Sequence, residues 1–103
     1  MVHARVWKFC PEPAREEEFA AAYGPGGPWE QLFARAEGYR GTVLLRPSEP
    51  GGCWLTIDFW RSVADFEAFG RDHGADYRDL DAELEGISGE EEFMGAFEVG
   101  EED

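Results

Sequence analysis

The chain is poor in basic residues and has no long apolar run. Its 9 Lys and Arg stand against 23 Asp and Glu, and the resulting formal net charge of -14 repels nucleic-acid phosphates and anionic lipid headgroups. No apolar stretch reaches the roughly 20 residues that a membrane span needs, and the start of the chain lacks the apolar region of a signal peptide. We therefore expect a cytoplasmic protein whose partners include neither nucleic acid nor a membrane.

Cysteine and histidine are also scarce. The two cysteines, Cys10 and Cys53, are too few for a disulfide framework or a zinc motif, so we expect free thiols. The two histidines, His3 and His73, do not form a spaced pair, and we expect no metal site. His3 lies close to the N-terminus and is expected to be partly exposed.

The sequence does contain a regular succession of apolar patterns over one domain, residues 1–103. The patterns predict strands at 2–9, 39–46, 53–60 and 93–99, and helical segments that start at Pro13, Pro28 and Ser62. Residues 100–103 are expected to form an acidic tail. This order predicts an α+β fold, a ferredoxin-like βαββαβ arrangement with a four-stranded antiparallel sheet and both helices on one face. The first and third strands are then neighbours, which puts the two cysteines near the same sheet end.

The third predicted strand carries large apolar residues on both of its faces. Its odd-numbered positions from Cys53 to Phe59 are all apolar, and the even-numbered face still carries Trp54 and Trp60. A sheet that met water on one side would alternate more cleanly. Because we expect the helices to cover the odd-numbered face, the sheet of a second copy is expected to cover the other face. The sequence thus predicts a homodimer.

The longest predicted helix begins at Ser62, where the sequence Ser-Val-Ala-Asp resembles a capping box with Asp in place of Glu. Gly70 and Gly74 each cost about 1 kcal/mol relative to Ala in a helix, so we expect a bend or break near His73. Helical spacing gathers one stripe of side chains: Phe66, Phe69, His73, Tyr77, Leu80 and Leu84. A titratable imidazole therefore lies within an aromatic face, next to a strand end that carries an acid and an indole.

Five segments resemble the antibiotic biosynthesis monooxygenase superfamily. They are WKF at 7–9, YGPGGPW at 23–29, GYRGT at 38–42, LTIDFWRS at 55–62 and FGRDHGADYRDLD at 69–81. The resemblance covers nearly the whole chain and implies a dimeric α+β barrel, in which two ferredoxin-like sheets pack together and each subunit keeps a pocket between sheet and helices. Some members oxygenate polycyclic phenols or quinols without metal or flavin, some degrade haem, and many have no known substrate.

Oxygenation of a phenol without a cofactor requires a base, hydrogen-bond donors for an oxyanion and a dry apolar cavity. His73 is the best candidate base, since burial lowers the pKa of an imidazole and favours its proton-accepting form. Tyr77 is a candidate for orienting the substrate, and Asp58 for orienting the imidazole. The candidate pocket residues are aromatic: Trp7, Tyr23, Trp29, Phe33, Tyr39, Trp60 and Phe69.

The same residues also have plainer interpretations. His73 is alternatively a half-buried helix residue that is bonded to a carbonyl or to Asp58. Asp58 is alternatively the partner in a salt bridge with an arginine such as Arg40 or Arg61. The aromatic residues are alternatively ordinary core residues. Haem degradation is not expected, because the haem-degrading members use an asparagine on the first strand and a helix tryptophan. This chain has no asparagine and has Phe69 where that tryptophan would align.

Three hypotheses stay open. The first is a cofactor-independent monooxygenase that oxidises an aromatic phenol or quinol with O₂. The second is a non-catalytic dimeric barrel that binds an apolar, aromatic small molecule. The third is a dimer with no small-molecule site, in which the aromatic residues only fill the core.

Overall fold

The structure, a computed structural model, describes residues 2–100, and three of the four residues of the predicted acidic tail lie outside the described residues. Its strands are β1 (His3–Cys10), β2 (Tyr39–Leu45), β3 (Trp54–Trp60) and β4 (Glu90–Glu98). Its helices are α1 (Glu16–Tyr23), α2 (Pro28–Phe33) and α3 (Val63–Glu83), and a 3₁₀ turn at Pro13–Arg15 precedes α1. The element order is the predicted one. None of the helices within residues 2–100 has the length and apolar character that crossing a membrane requires.

The four strands form one antiparallel sheet in the order β2-β3-β1-β4. This order confirms the ferredoxin-like α+β fold, with β1 and β3 as central neighbours. Directly opposed residues of antiparallel strands face the same side of a sheet. The register of β1 on β3 therefore places Arg5 beside Asp58, and Trp7 beside Thr56, on one face.

The helices cover the even-numbered face of β3, so the prediction that they cover the odd-numbered face is wrong. Trp54 and Trp60 are each 1% exposed, and they pack against Phe19 of α1 and Phe33 of α2. The period of a strand separates its two faces but does not say which of them a helix will cover. Trp54 and Trp60, which we expected the sheet of a second copy to cover, are buried within one chain.

The opposite side of the sheet, which we call the open face, carries the apolar side chains of Ala4, Val6, Val43, Leu45, Leu55, Ile57, Phe59 and Phe97, together with Lys8. Both hydrophobic clusters of the core lie on the other side. On the open face, Val43 and Leu45 are 42% exposed and Phe97 is 53% exposed. A contiguous apolar sheet surface of this kind is typical of an interaction site.

Helix α3 confirms both its predicted start and its predicted bend. Ser62 is the N-cap, since its Oγ accepts a hydrogen bond from the Asp65 N–H at 3.1 Å and donates to the Asp65 carboxylate at 2.9 Å. His73 has φ -128° and ψ 17°, which interrupts the helix between Gly70 and Gly74. Glycine lowers the cost of leaving helical geometry at this point.

His3 is buried, which corrects the expectation that it is partly exposed. It is 5% exposed and lies opposite Trp60 on the helix-covered face, with its ring centroid 6.0 Å from that of Phe66. Because β1 is a central strand, even its first residue is covered by α3. Burial lowers the pKa of the His3 imidazole.

Cys10 and Cys53 form a disulfide, so the prediction of free thiols is wrong. The topology brings them together, because Cys10 ends β1 and Cys53 precedes β3, and their Cα atoms are 4.5 Å apart. Two cysteines are too few for a disulfide framework, but they are enough for a single disulfide bond. The disulfide closes a separation of 43 residues and ties together the two central strands.

Candidate functional site

Two adjoining cavities lie between the helix-covered face of the sheet and helix α3. The first, which we call the acidic cavity, has a volume of about 250 Å³. It is lined by Trp7, Phe9, Tyr23, Trp29, Glu30, Phe33, Thr42, Thr56, Asp58, Tyr77, Asp81 and Glu91. The second, which we call the arginine cavity, has a volume of about 340 Å³. It is lined by Arg5, Trp7, Phe33, Asp58, Trp60, Phe66, Phe69, Gly70, Gly74, Tyr77 and Arg78.

Four side chains belong to the walls of both cavities: Trp7, Phe33, Asp58 and Tyr77. Together the cavities offer a space within the range of about 300 to 1,000 Å³ that is usual for small-molecule sites. The shared wall combines two aromatic surfaces with one carboxyl and one phenol group. It is therefore the natural place to look for chemistry.

Asp58 is oriented by a short chain of hydroxyl groups. The Thr42 hydroxyl donates to Asp58 Oδ1 at 2.8 Å, and the Tyr39 hydroxyl lies 2.5 Å from Thr42 Oγ1. Because the Thr42 proton is used on Asp58, Tyr39 is the donor to Thr42. Within residues 2–100, no donor is bonded to Asp58 Oδ2, so this second oxygen is available to a bound molecule.

The Asp58 carboxyl group is a weaker acid than an ordinary aspartate. Burial raises its pKa from 3.8 to about 6, although the Thr42 hydrogen bond and the positive charge of Arg5 act in the opposite direction. At pH 7 the group is mostly ionised, and it binds a proton far more readily than an exposed carboxylate does. A pKa close to the working pH is what an effective general base needs.

Tyr77 supplies a hydrogen-bond donor on the same shared wall. Burial, together with the nearby carboxylates of Asp81 and Glu91, raises the pKa of its hydroxyl to about 12. The phenol therefore stays protonated over the physiological range. Within residues 2–100 its hydroxyl has no hydrogen-bond partner, and the side chain is 36% exposed. Asp58 and Tyr77 thus place an acceptor and a donor around one space.

Most aromatic residues predicted for a pocket lie in the cavity walls. Trp7, Tyr23, Trp29 and Phe33 line the acidic cavity, and Trp7, Phe33, Trp60 and Phe69 line the arginine cavity. Tyr39 lines neither, because it lies behind the wall, where it packs on Phe33 with ring centroids 5.6 Å apart and bonds to Thr42. Its hydroxyl acts on the site only through Thr42.

His73 lines neither cavity, so the structure does not bring it together with Asp58 and Tyr77. Its ring packs against Phe69 at the bend of α3, with centroids 5.5 Å apart. Within residues 2–100 no hydrogen bond joins His73 to Asp58. The role of His73 as a base stays a prediction, and the geometry gives the cavity a different proton acceptor.

Neither Arg40 nor Arg61, the two arginines named as salt-bridge partners of Asp58, pairs with it, because both are engaged elsewhere. Arg61 binds the Asp65 carboxylate at 2.7 Å, and Arg40 donates to the backbone carbonyls of Glu37 and Tyr39 at 3.0 Å. Both arginines belong to the surface around the start of α3. The carboxyl group of Asp58 faces the cavities instead.

Arg5 and Thr42 are site residues that the sequence analysis did not single out. Arg5 shares the alternating face of Trp7, and Thr42 ends the GYRGT segment, so both signals were present. What was missing is the strand register, which aligns Arg5, Asp58 and Thr42 across three strands. Between residues 2 and 100, no group of three His, Cys, Asp or Glu side chains is arranged to hold a metal ion.

These features define a ferredoxin-like α+β domain with an aromatic cavity between its sheet and its long helix. The family model for antibiotic biosynthesis monooxygenases matches residues 2–75. The chain therefore belongs to the antibiotic biosynthesis monooxygenase family, as the sequence resemblance indicated. No curated protein sequence is significantly similar to it.

Solved structures show the same fold. SnoaB, a cofactor-independent oxygenase from Streptomyces nogalater, is 20% identical, with a TM-score of 0.65 over 98% of this chain and 95% of that chain. The monooxygenase from the gene ActVA-Orf6 of Streptomyces coelicolor, in complex with nanaomycin D, is 19% identical, with a TM-score of 0.69 over 98% and 89%. Rv0793 from Mycobacterium tuberculosis is 16% identical, with a TM-score of 0.63 over 99% and 98%. At these identities the likeness concerns the fold.

Proposed function

We propose that this protein is a cofactor-independent monooxygenase that oxidises an aromatic phenol or quinol with O₂. The observation that carries the proposal is the Asp58 carboxyl group, which is hydrogen-bonded on one oxygen only and lies in a wall shared by two aromatic cavities. Membership of the monooxygenase family supports an oxygenation reaction. The fold shared with SnoaB, a cofactor-independent oxygenase, supports the absence of a cofactor in that reaction.

The base in this proposal is Asp58 and not His73. Asp58 is in the cavity wall and its pKa of about 6 suits proton transfer near neutral pH, whereas His73 lies outside both cavities. A flat substrate lies between Trp7 and Phe33 with its hydroxyl group at Asp58 Oδ2. Tyr77 donates a hydrogen bond to the substrate oxygen as negative charge develops there.

The reaction balances without an added reductant. Asp58 removes a proton from the substrate, and the resulting anion gives one electron to O₂, which yields a substrate radical and superoxide. Their combination forms a carbon–oxygen bond and a peroxide, to which Asp58 returns its proton. The C–H bond at the carbon that bears the peroxide and the peroxide O–O bond then break, and the lost proton and hydroxide leave as water. One oxygen atom of O₂ thus becomes a carbonyl of the product and the other becomes water.

We infer that two copies pair through the open face. Val43, Leu45 and Phe97 are exposed there, and an apolar surface of this kind is stabilised when a partner removes it from water. The pairing agrees with the two packed sheets that the family resemblance implies. It moves the predicted dimer contact from the even-numbered to the odd-numbered face of β3.

Oxygen uptake tests the proposed function. Purified protein with a chelator present is assayed over a panel of anthrones, naphthols and hydroquinones. The proposal expects uptake with at least one compound class, a loss of about 100-fold or more in Asp58→Asn, and little loss in His73→Ala. Loss in His73→Ala alone would return the base role to His73. Binding of panel members without uptake would favour the non-catalytic binding protein.

A further inference from the structure

Arg5 is a basic side chain on a cavity wall, and although its charge acts on the nearby Asp58, the two form no salt bridge. It lies on the helix-covered face of β1, directly opposite Asp58, and it lines the arginine cavity. Its guanidinium carbon is 4.0 Å from the centroid of the Phe66 ring and 4.6 Å from that of the Phe93 ring. None of the ion pairs within residues 2–100 involves Arg5.

Arg5 is one of five basic residues within residues 2–100 that form no ion pair, and of these five only Arg5 and Arg78 line the arginine cavity. Four other arginines pair with acids on the surface: Arg15, Arg35, Arg46 and Arg61. Arg5 instead lies over two aromatic rings, and among residues 2–100 its guanidinium N–H groups donate no hydrogen bond, so these donors are available to a bound molecule. Burial lowers the pKa of the Arg5 side chain, but a guanidinium stays charged in proteins.

The charges of the two cavities are divided. Glu30, Asp81 and Glu91 all lie in the wall of the acidic cavity, whereas Arg5 and Arg78 lie in the wall of the arginine cavity. Of the carboxylates in the described part of the chain, only Asp58 belongs to the wall of the arginine cavity. In a protein whose net charge is -14, this cavity is a local environment that favours an anion.

We propose that Arg5 binds a carboxylate group of the substrate, so that the substrate is an aromatic acid. This inference rests on the proposed function, because it places the oxidised ring at Asp58. A carboxylate presents two oxygens in a plane and matches the paired donors of a guanidinium, whereas a phenolate presents one. Since Trp7 and Phe33 line both cavities, a ring system that contacts them extends from Asp58 toward Arg5.

A binding experiment tests this assignment without turnover. Anthraquinone-2-carboxylate and anthraquinone-2-carboxamide, which are already oxidised, are titrated at pH 8 against the quenching of tryptophan fluorescence. We expect the wild type to bind the acid about 10- to 100-fold more tightly than the amide, as for a hydrogen-bonded charge pair. Arg5→Met should bind both probes with the affinity of the amide. Arg71→Met, which removes an exposed arginine outside both cavities, should keep the preference.

Equal affinity of the wild type for acid and amide would overturn the proposal, as would a preference that survives Arg5→Met. If Arg5→Met no longer binds the amide, the substitution has altered the cavity itself. The preference of Arg5→Lys for the acid over the amide is then the deciding measurement. A lysine that keeps the preference for the acid would support the charge assignment, and a lysine that shows none would overturn it. The outcome is independent of oxygen uptake, so a failed activity panel leaves this result readable.

Discussion

Replacing Asp58 by Asn is expected to inactivate the protein and to stabilise its fold. The substitution removes the negative charge but keeps an oxygen that can accept the Thr42 hydrogen bond. An ionised carboxylate in an aromatic wall lowers the free energy of unfolding, because burial disfavours the ionised form. Stability and activity should therefore change in opposite directions.

The structure gives the size of the effect. The pKa of Asp58 rises from 3.8 to about 6 on folding. Since each tenfold change in proton affinity is worth about 1.4 kcal/mol, the ionised carboxylate costs the folded state about 3 kcal/mol above pH 6. The neutral amide avoids most of this cost, so Asp58→Asn should raise the free energy of unfolding at pH 8 by about 2 to 3 kcal/mol.

The sign of the pH dependence follows from the same values. Between about pH 4 and pH 6 the folded protein binds more protons at Asp58 than the unfolded chain does, because the folded pKa is the higher one. The contribution of this carboxyl group to stability therefore falls as the pH rises through that window. Asp58→Asn lacks this fall, and its advantage over the wild type should grow from pH 4 to pH 6 and then level off.

Urea unfolding of the wild type, Asp58→Asn and Asp72→Asn at several pH values measures the effect. Asp72 is an exposed carboxylate of α3 that lines neither cavity, so Asp72→Asn controls for the loss of one charge. An Asp58→Asn variant that is no more stable than the wild type at pH 8, or whose advantage does not change between pH 4 and pH 6, would refute the reasoning.

Three further predictions concern other parts of the structure. Tyr77→Phe removes only a hydroxyl group and should lower kcat about 10-fold or more without changing the urea midpoint; an unchanged kcat would remove Tyr77 from the reaction. Loss of the disulfide in the Cys10→Ser, Cys53→Ser variant should lower the free energy of unfolding by about 2 to 4 kcal/mol, and a reductant should do the same to the wild type but not to the variant. Val43→Arg puts a charge on the open face, where the side chain is already 42% exposed, and should give a folded monomer by sedimentation equilibrium; a wild type that is itself monomeric would contradict the dimer.

The order of elements was predictable because it depends on local patterns. Proline, glycine and the capping sequence at Ser62 mark the boundaries of the helices and strands, and Gly70 and Gly74 indicated the bend at His73. The covered face of the sheet was not predictable in the same way. The helix-covered face of β3 carries Thr56 and Asp58 between its tryptophans because it borders the cavities, so the more uniformly apolar face was mistaken for the buried one.

The aromatic walls were predictable for the same reason as the core, since large rings at regular spacing point inward in either case. The residues that surround Asp58 were not predictable, because they depend on strand register and not on sequence distance. Register brings Arg5 and Thr42 to either side of Asp58 and leaves His73 outside the cavities. The disulfide has the same origin, since it follows from β1 and β3 being neighbours with their ends aligned.

The fate of the two oxygen atoms tests the proposed reaction most directly. The protein, with a chelator present, is supplied with ¹⁸O₂ and with a compound from the panel that supports uptake. Mass spectrometry of the product should show one ¹⁸O atom in a new carbonyl group, with one O₂ consumed per product and no hydrogen peroxide, and Asp58→Asn should form this product at least about 100-fold more slowly. Product oxygen that comes from water, release of hydrogen peroxide, or an equal rate in Asp58→Asn would contradict a monooxygenase that uses Asp58 as its base.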